Sequence, residues 1–86
     1  MKKILFISAI WCPTCLIMRS RYMKFVNDYD GWTFEEVDFD QNKAMIESLK
    51  VGIILPVAII YHNDKEVNRL IGEITIKKLT KTLGLI

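Results

Sequence analysis

The polar and apolar positions of this chain change period several times. Residues 4–10, ILFISAI, form a short continuous apolar run rich in Ile, which reads as a strand covered on both faces. From Pro13 the spacing becomes helical. Leu16, Met18, Tyr22, Phe25, Val26 and Tyr29 return on one side, while Arg19, Arg21 and Lys24 read as the wet side. Pro13 suits a first helical position, where its missing N–H costs nothing, and Gly31 offers a stop. Residues 33–39 alternate in part through Phe34, Val37 and Phe39 and predict a second strand. Asp40 or Asn42 is placed to cap a short helix carrying Met45, Ile46 and Leu49, with Gly52 to end it. Residues 57–61 are again strand-like, His62-Asn63-Asp64-Lys65 has turn chemistry, and residues 66–71 return as the hairpin partner. Thr75 then caps a last helix with Ile76, Leu79 and Leu83 on one face.

The order β-α-β-α-β-β-α predicts an α/β domain spanning residues 1–86. Strands joined through a helix run parallel and the closing hairpin is antiparallel, so a mixed four-stranded sheet flanked by three helices is the natural closure. No repeat, low-complexity tract or linker interrupts it. Half of the residues are apolar and a quarter charged, as in ordinary globular domains. The net charge of +2 is too small to call for a nucleic acid or an anionic membrane as partner, and a monomer is expected. No stretch approaches the roughly 18 apolar residues of a membrane span. The opening MKKILFISAI imitates a secretory signal, but its apolar run is short and no small-x-small cleavage site follows. A mature, cytoplasmic N-terminus is therefore expected.

The chemistry concentrates in WCPTC, residues 11–15, which holds both cysteines of the chain. As a structural staple the pair would close almost no loop and constrain the unfolded chain little. As half of a zinc site it supplies two of four ligands, and the one histidine, His62, sits in the turn cluster and reads as solvated. Redox exchange suits the spacing best. Residues three apart across a first helical turn lie within disulfide reach. The free N–H groups and positive dipole end of the helix would stabilise a thiolate at Cys12 and make it the attacking sulfur. Cys15, one turn inside, would be the more buried, resolving thiol.

These segments resemble the thioredoxin superfamily over nearly the whole chain. WCPTC follows an apolar strand; VDFDQN (37–42) is similar to the family's next strand end and helix start; VGIILPV (51–57) places Pro56 where the family has its cis-proline; RLIGEIT (69–75) resembles its last strand, glycine and helix cap. The resemblance implies a cis Leu55–Pro56 bond against the sulfurs, and a substrate groove of Trp11, Pro13, Leu55, Pro56, Ile71 and Gly72 around Cys12. It implies disulfide-containing proteins as substrates, an upstream donor such as thioredoxin reductase, and no cofactor beyond the Cys12–Cys15 disulfide. There are departures. The chain lacks the strand and helix that open full thioredoxins, and in size is closer to glutaredoxins. Yet a single Gly72 followed by Glu73 replaces the paired glycines that serve glutathione, which argues against glutathione binding. A glutaredoxin acting on glutathione mixed disulfides, and a non-catalytic binding or metal-handling module, are the alternatives. Phe6 stands where thioredoxins bury an aspartate. Glu36, on the next strand, is a candidate proton acceptor for Cys15; an exposed strand glutamate is the other reading.

Overall fold

A computed structural model describes residues 1–86. Its centre is β1 (Lys2–Ser8), in which Ile4, Leu5, Phe6 and Ile7 are all buried. A strand with no polar face must be covered on both sides. Here β2 (Trp32–Asp38) pairs with it in parallel and β3 (Val57–His62) antiparallel, while β4 (Lys65–Ile71) closes the sheet in the order β2-β1-β3-β4. Alternate side chains then feed two layers. Ile4, Phe6, Ala58 and Ile60 face α1 (Pro13–Asp28) and α3 (Ile76–Gly84), meeting Met18, Tyr22, Phe25, Leu79 and Leu83. Leu5, Ile7, Val57 and Ile59 form a smaller cluster with Ile46 of α2 (Lys43–Ser48). The fold class read from the sequence is the one observed.

Several boundaries differ. The first strand was expected at residues 4–10, but it begins at Lys2 and ends at Ser8, and Ile10 is 94 % exposed. Pairing decides this: both neighbouring registers run out by Ser8, and the chain turns through a Cys12 N–H to Ala9 carbonyl bond. On α1 the buried stripe is Cys15, Met18, Tyr22 and Phe25; Leu16 lies about 100° round the helix from Cys15 and is exposed. The helix ends at Asp28 with Tyr29 as its cap, and Tyr29 stacks on Phe25 from outside. Gly31, at φ +88°, serves to turn the chain into β2. The wet side is not uniformly wet, since Arg21 donates to the Ile74 carbonyl at 2.7 Å and ties α1 to the start of α3.

Neither expected cap of α2 bonds its helix through a side chain. Asn42 sits at the cap position without such a bond, and Asp38 organises the turn by accepting from the Asp40 and Gln41 amides. Lys50, not Gly52, takes the left-handed conformation after α2, at φ 56°. Arg69 of β4 reaches across to the Leu49 carbonyl at 2.6 Å, satisfying an end that glycine was expected to close. His62 ends β3 and the hairpin turns on Asn63 and Asp64, both at positive φ (53° and 69°), as a two-residue turn of this hand requires. In α3 the Thr75 hydroxyl accepts from the Lys78 amide as expected, and Leu79 and Leu83 are buried, but Ile76 in the first turn is exposed.

Candidate active site

Because β1 stops at Ser8, the next residues carry the chain over the end of the sheet and deliver Cys12 to the mouth of α1. Cys12 is the N-cap, with extended backbone (φ −105°, ψ 102°), and Pro13 occupies the first turn, where no N–H is needed. The Cys15 amide donates to Cys12 Sγ at 3.2 Å. Cys12 thus caps its own helix with sulfur, as Ser or Asp would with oxygen. No acidic side chain lies in the first turn to offset the positive end of this 16-residue helix. The two cysteines are joined as a disulfide, with Cα atoms 5.3 Å apart. Cys12 is 8 % and Cys15 2 % exposed, so the outer sulfur is the one a partner meets first.

The remaining expected groove residues fall on two sides. Leu55–Pro56 is a cis peptide, Pro56 is buried, and Leu55 packs against the core cluster that holds both cysteines. Gly72, at φ +78°, donates its amide to the Pro56 carbonyl at 2.8 Å, so these two positions are locked together. Ile71 beside it is exposed. Trp11 is held separately: its indole N–H donates to Asp40 at 2.6 Å and its ring meets Phe39 edge-on, leaving the residue 57 % exposed beside Cys12. Pro13 is exposed at the helix mouth. His62 lies at the far end of β3, and no group of three or more His, Cys, Asp or Glu side chains comes together to hold a metal ion.

Glu36 occupies the flank of the site. Its Oε2 accepts from the Ser8 hydroxyl at 2.7 Å and from Arg19 Nε and Nη2 at 3.1 and 2.5 Å. Partial burial pushes its pKa upward, but the hydrogen bonds from Arg19 and Ser8 and the Arg19 charge outweigh that, and the net direction is down. Sequence reasoning missed Ser8, Arg19 and Asp40. Two had a signal: Ser8 is the one polar residue in ILFISAI, and Arg19 follows Cys15 by four on the same helical face.

A cysteine pair bridging the first turn of a helix, at the end of a central strand of a mixed sheet and with a cis-proline loop locked to a glycine opposite, defines a thioredoxin-fold dithiol site. Residues 2–84 match the thioredoxin family profile, and the chain belongs to the thioredoxin family. Over 64 residues it is 30 % identical to thioredoxin-2 of Saccharomyces cerevisiae, covering 74 % of this chain and 61 % of that protein. The chain therefore spans about three fifths of that relative's length. Thioredoxin-2 of a malaria parasite, described as a component of protein secretion machinery, superposes with a TM-score of 0.90 at 21 % identity, over all of this chain and 84 % of the other. Oxidised mitochondrial thioredoxin 3 of Saccharomyces cerevisiae gives 0.87 at 20 % identity, over 99 % and 78 %.

Proposed function

We propose that the protein is a thiol–disulfide oxidoreductase that reduces protein disulfides by dithiol exchange. The observation that carries this reading is Cys12 at the cap of α1, its sulfur accepting a helix-mouth amide while bonded to Cys15. An anion at that sulfur gains from the amide and from the helix dipole, so the reduced form presents a nucleophile at neutral pH. The Cys12 thiolate attacks one sulfur of a target disulfide; a mixed disulfide forms and the target's other sulfur leaves as thiolate. Cys15 then loses its proton and attacks Cys12 Sγ, forming Cys12–Cys15 and releasing the target's second thiolate. The target gains two electrons, and with two protons becomes a dithiol, while the pair is oxidised. An upstream reductase of the thioredoxin reductase type restores the dithiol, so the two sulfurs carry the electrons and no separate cofactor enters.

An extended target segment is read as lying between exposed Trp11 and the Leu55–Pro56 and Ile71–Gly72 side. Such a pair serves as reductant where thiols are kept reduced, and the cytoplasm is the proposed compartment. The test is insulin reduction with dithiothreitol, then with thioredoxin reductase or with glutathione as donor. Reduction through the reductase and not through glutathione is expected. Turnover that survives Cys12→Ser overturns the assignment.

A further inference from the structure

Cys15 is almost fully buried, yet the step assigned to it requires its sulfur to lose a proton. A cavity of about 480 Å³ reaches it, lined also by Ser8, Leu16, Arg19, Glu36 and Asp38. Ser8 comes from β1, Arg19 from one turn below Cys15 on α1, and Glu36 and Asp38 from alternate positions of β2, on one side of the sheet. The charged groups of this cavity are therefore one cation and two carboxylates. Asp38 is committed to the chain turn, accepting from the Asp40 and Gln41 amides. Glu36 is committed to Arg19, with the Ser8 hydroxyl fixing the same oxygen from the opposite element. Ser8 is the one polar residue among the buried set, and this bond is what its hydroxyl makes.

A thiol in a partly desolvated site responds to the net charge around it: an uncompensated anion raises its pKa and an uncompensated cation lowers it. Within the cavity the Arg19–Glu36 couple sums to zero, and the charge of Asp38, held by the Asp40 and Gln41 amides, is a constant background in every variant of that couple. We infer that the Ser8–Glu36–Arg19 cluster is a charge-balanced couple that sets the proton affinity of the Cys15 thiol, and with it the rate of the resolving step. Glu36 acts here as a positioning residue. A carboxylate oxygen already accepting three hydrogen bonds is a weak base, and the proton of Cys15 leaves through the cavity to solvent. The inference rests on the reading of Cys15 as the resolving thiol.

The two members of the couple have opposite signatures. In a Cys12→Ala background, where Cys15 is the only thiol, its titration is followed by thiolate absorbance in four proteins: the parent, Glu36→Gln, Arg19→Gln and the double variant. Glu36→Gln leaves Arg19 unbalanced and is expected to lower the Cys15 pKa by about half a unit; Arg19→Gln is expected to raise it by about as much. The double variant returns close to the parent, and Arg19→Lys, which keeps the charge, stays close to it. With Cys12 present, resolution of a preformed mixed disulfide at neutral pH is expected to run about twofold faster in Glu36→Gln and about twofold slower in Arg19→Gln, because a lower pKa enlarges the Cys15 thiolate fraction by more than it weakens each thiolate as a nucleophile. Coincident titrations in all four proteins overturn the inference. So does slower resolution in Glu36→Gln, which would make Glu36 the proton acceptor. The underlying reading has its own control: Cys15→Ser must accumulate a mixed disulfide through Cys12. If it does while the titrations stay fixed, the charge couple alone has failed.

Discussion

Tyr22 buries its ring in the core beside Phe6, with centroids 5.5 Å apart, and its hydroxyl finds no protein partner. Burial pushes its pKa well up, because a phenolate in that site would be unsolvated. The hydroxyl carries a desolvation cost that no hydrogen bond returns. Tyr22→Phe keeps the ring packing and is expected to raise stability by about 1 kcal/mol, read as a higher urea midpoint with unchanged slope. A lower midpoint would mean that the hydroxyl has a partner. The cysteines answer to a different logic at the same scale. Under the proposed exchange, Cys15→Ser keeps the attacking sulfur and removes the resolving one, so it is expected to hold a target as a mixed disulfide visible on a non-reducing gel, whereas Cys12→Ser traps none.

Helix starts were easier to read than helix ends, for a physical reason. The starts of α1 and α3 depend on local chemistry: Pro13 after Cys12, and Thr75 three residues before the amide it accepts. Thr75→Ala is expected to cost about 1 kcal/mol, since Leu79 and Leu83 of that helix lie in the core and fraying exposes them; a thermal melt checks it. The ends depend on partners far along the chain. Arg69 closes α2 from β4, so neither Lys50 nor Gly52 announced where that helix stops. Likewise β1 ends where its two neighbours run out, and Ile10, apolar in sequence, is left outside. The site divides the same way. Cys12 and Cys15 stood out by their spacing at a helix start, whereas Pro56 and Gly72 were placed only by resemblance to the thioredoxin family; the fold puts the cis peptide and the positive φ at those two positions. Glu36 was a candidate from its strand position, but its bonds to Ser8 and Arg19 join three elements and appear only in the fold.

At the scale of the molecule, two ion pairs link stability to pH. Arg69 holds Glu66 below its ordinary value of 4.5, and Glu36 is also lowered, the upward push of burial being outweighed by Arg19 and Ser8. A carboxylate with a depressed folded pKa stabilises fully above its ordinary value and loses that contribution as pH falls through the folded one. Urea midpoints are therefore expected to be level near neutrality and to fall below about pH 4.5, with a shallower fall in Glu66→Gln. A midpoint that rises on acidification would contradict this. The end of β1 in the mixed sheet delivers Cys12 to the mouth of α1, where its Sγ accepts from the Cys15 amide. The most direct measurement is the pH dependence of Cys12 alkylation in the reduced protein. A midpoint below about 7.5 is expected, against about 8.5 for an unperturbed cysteine; a midpoint at the unperturbed value would leave the helix mouth with no effect on the sulfur and remove the basis for its attack.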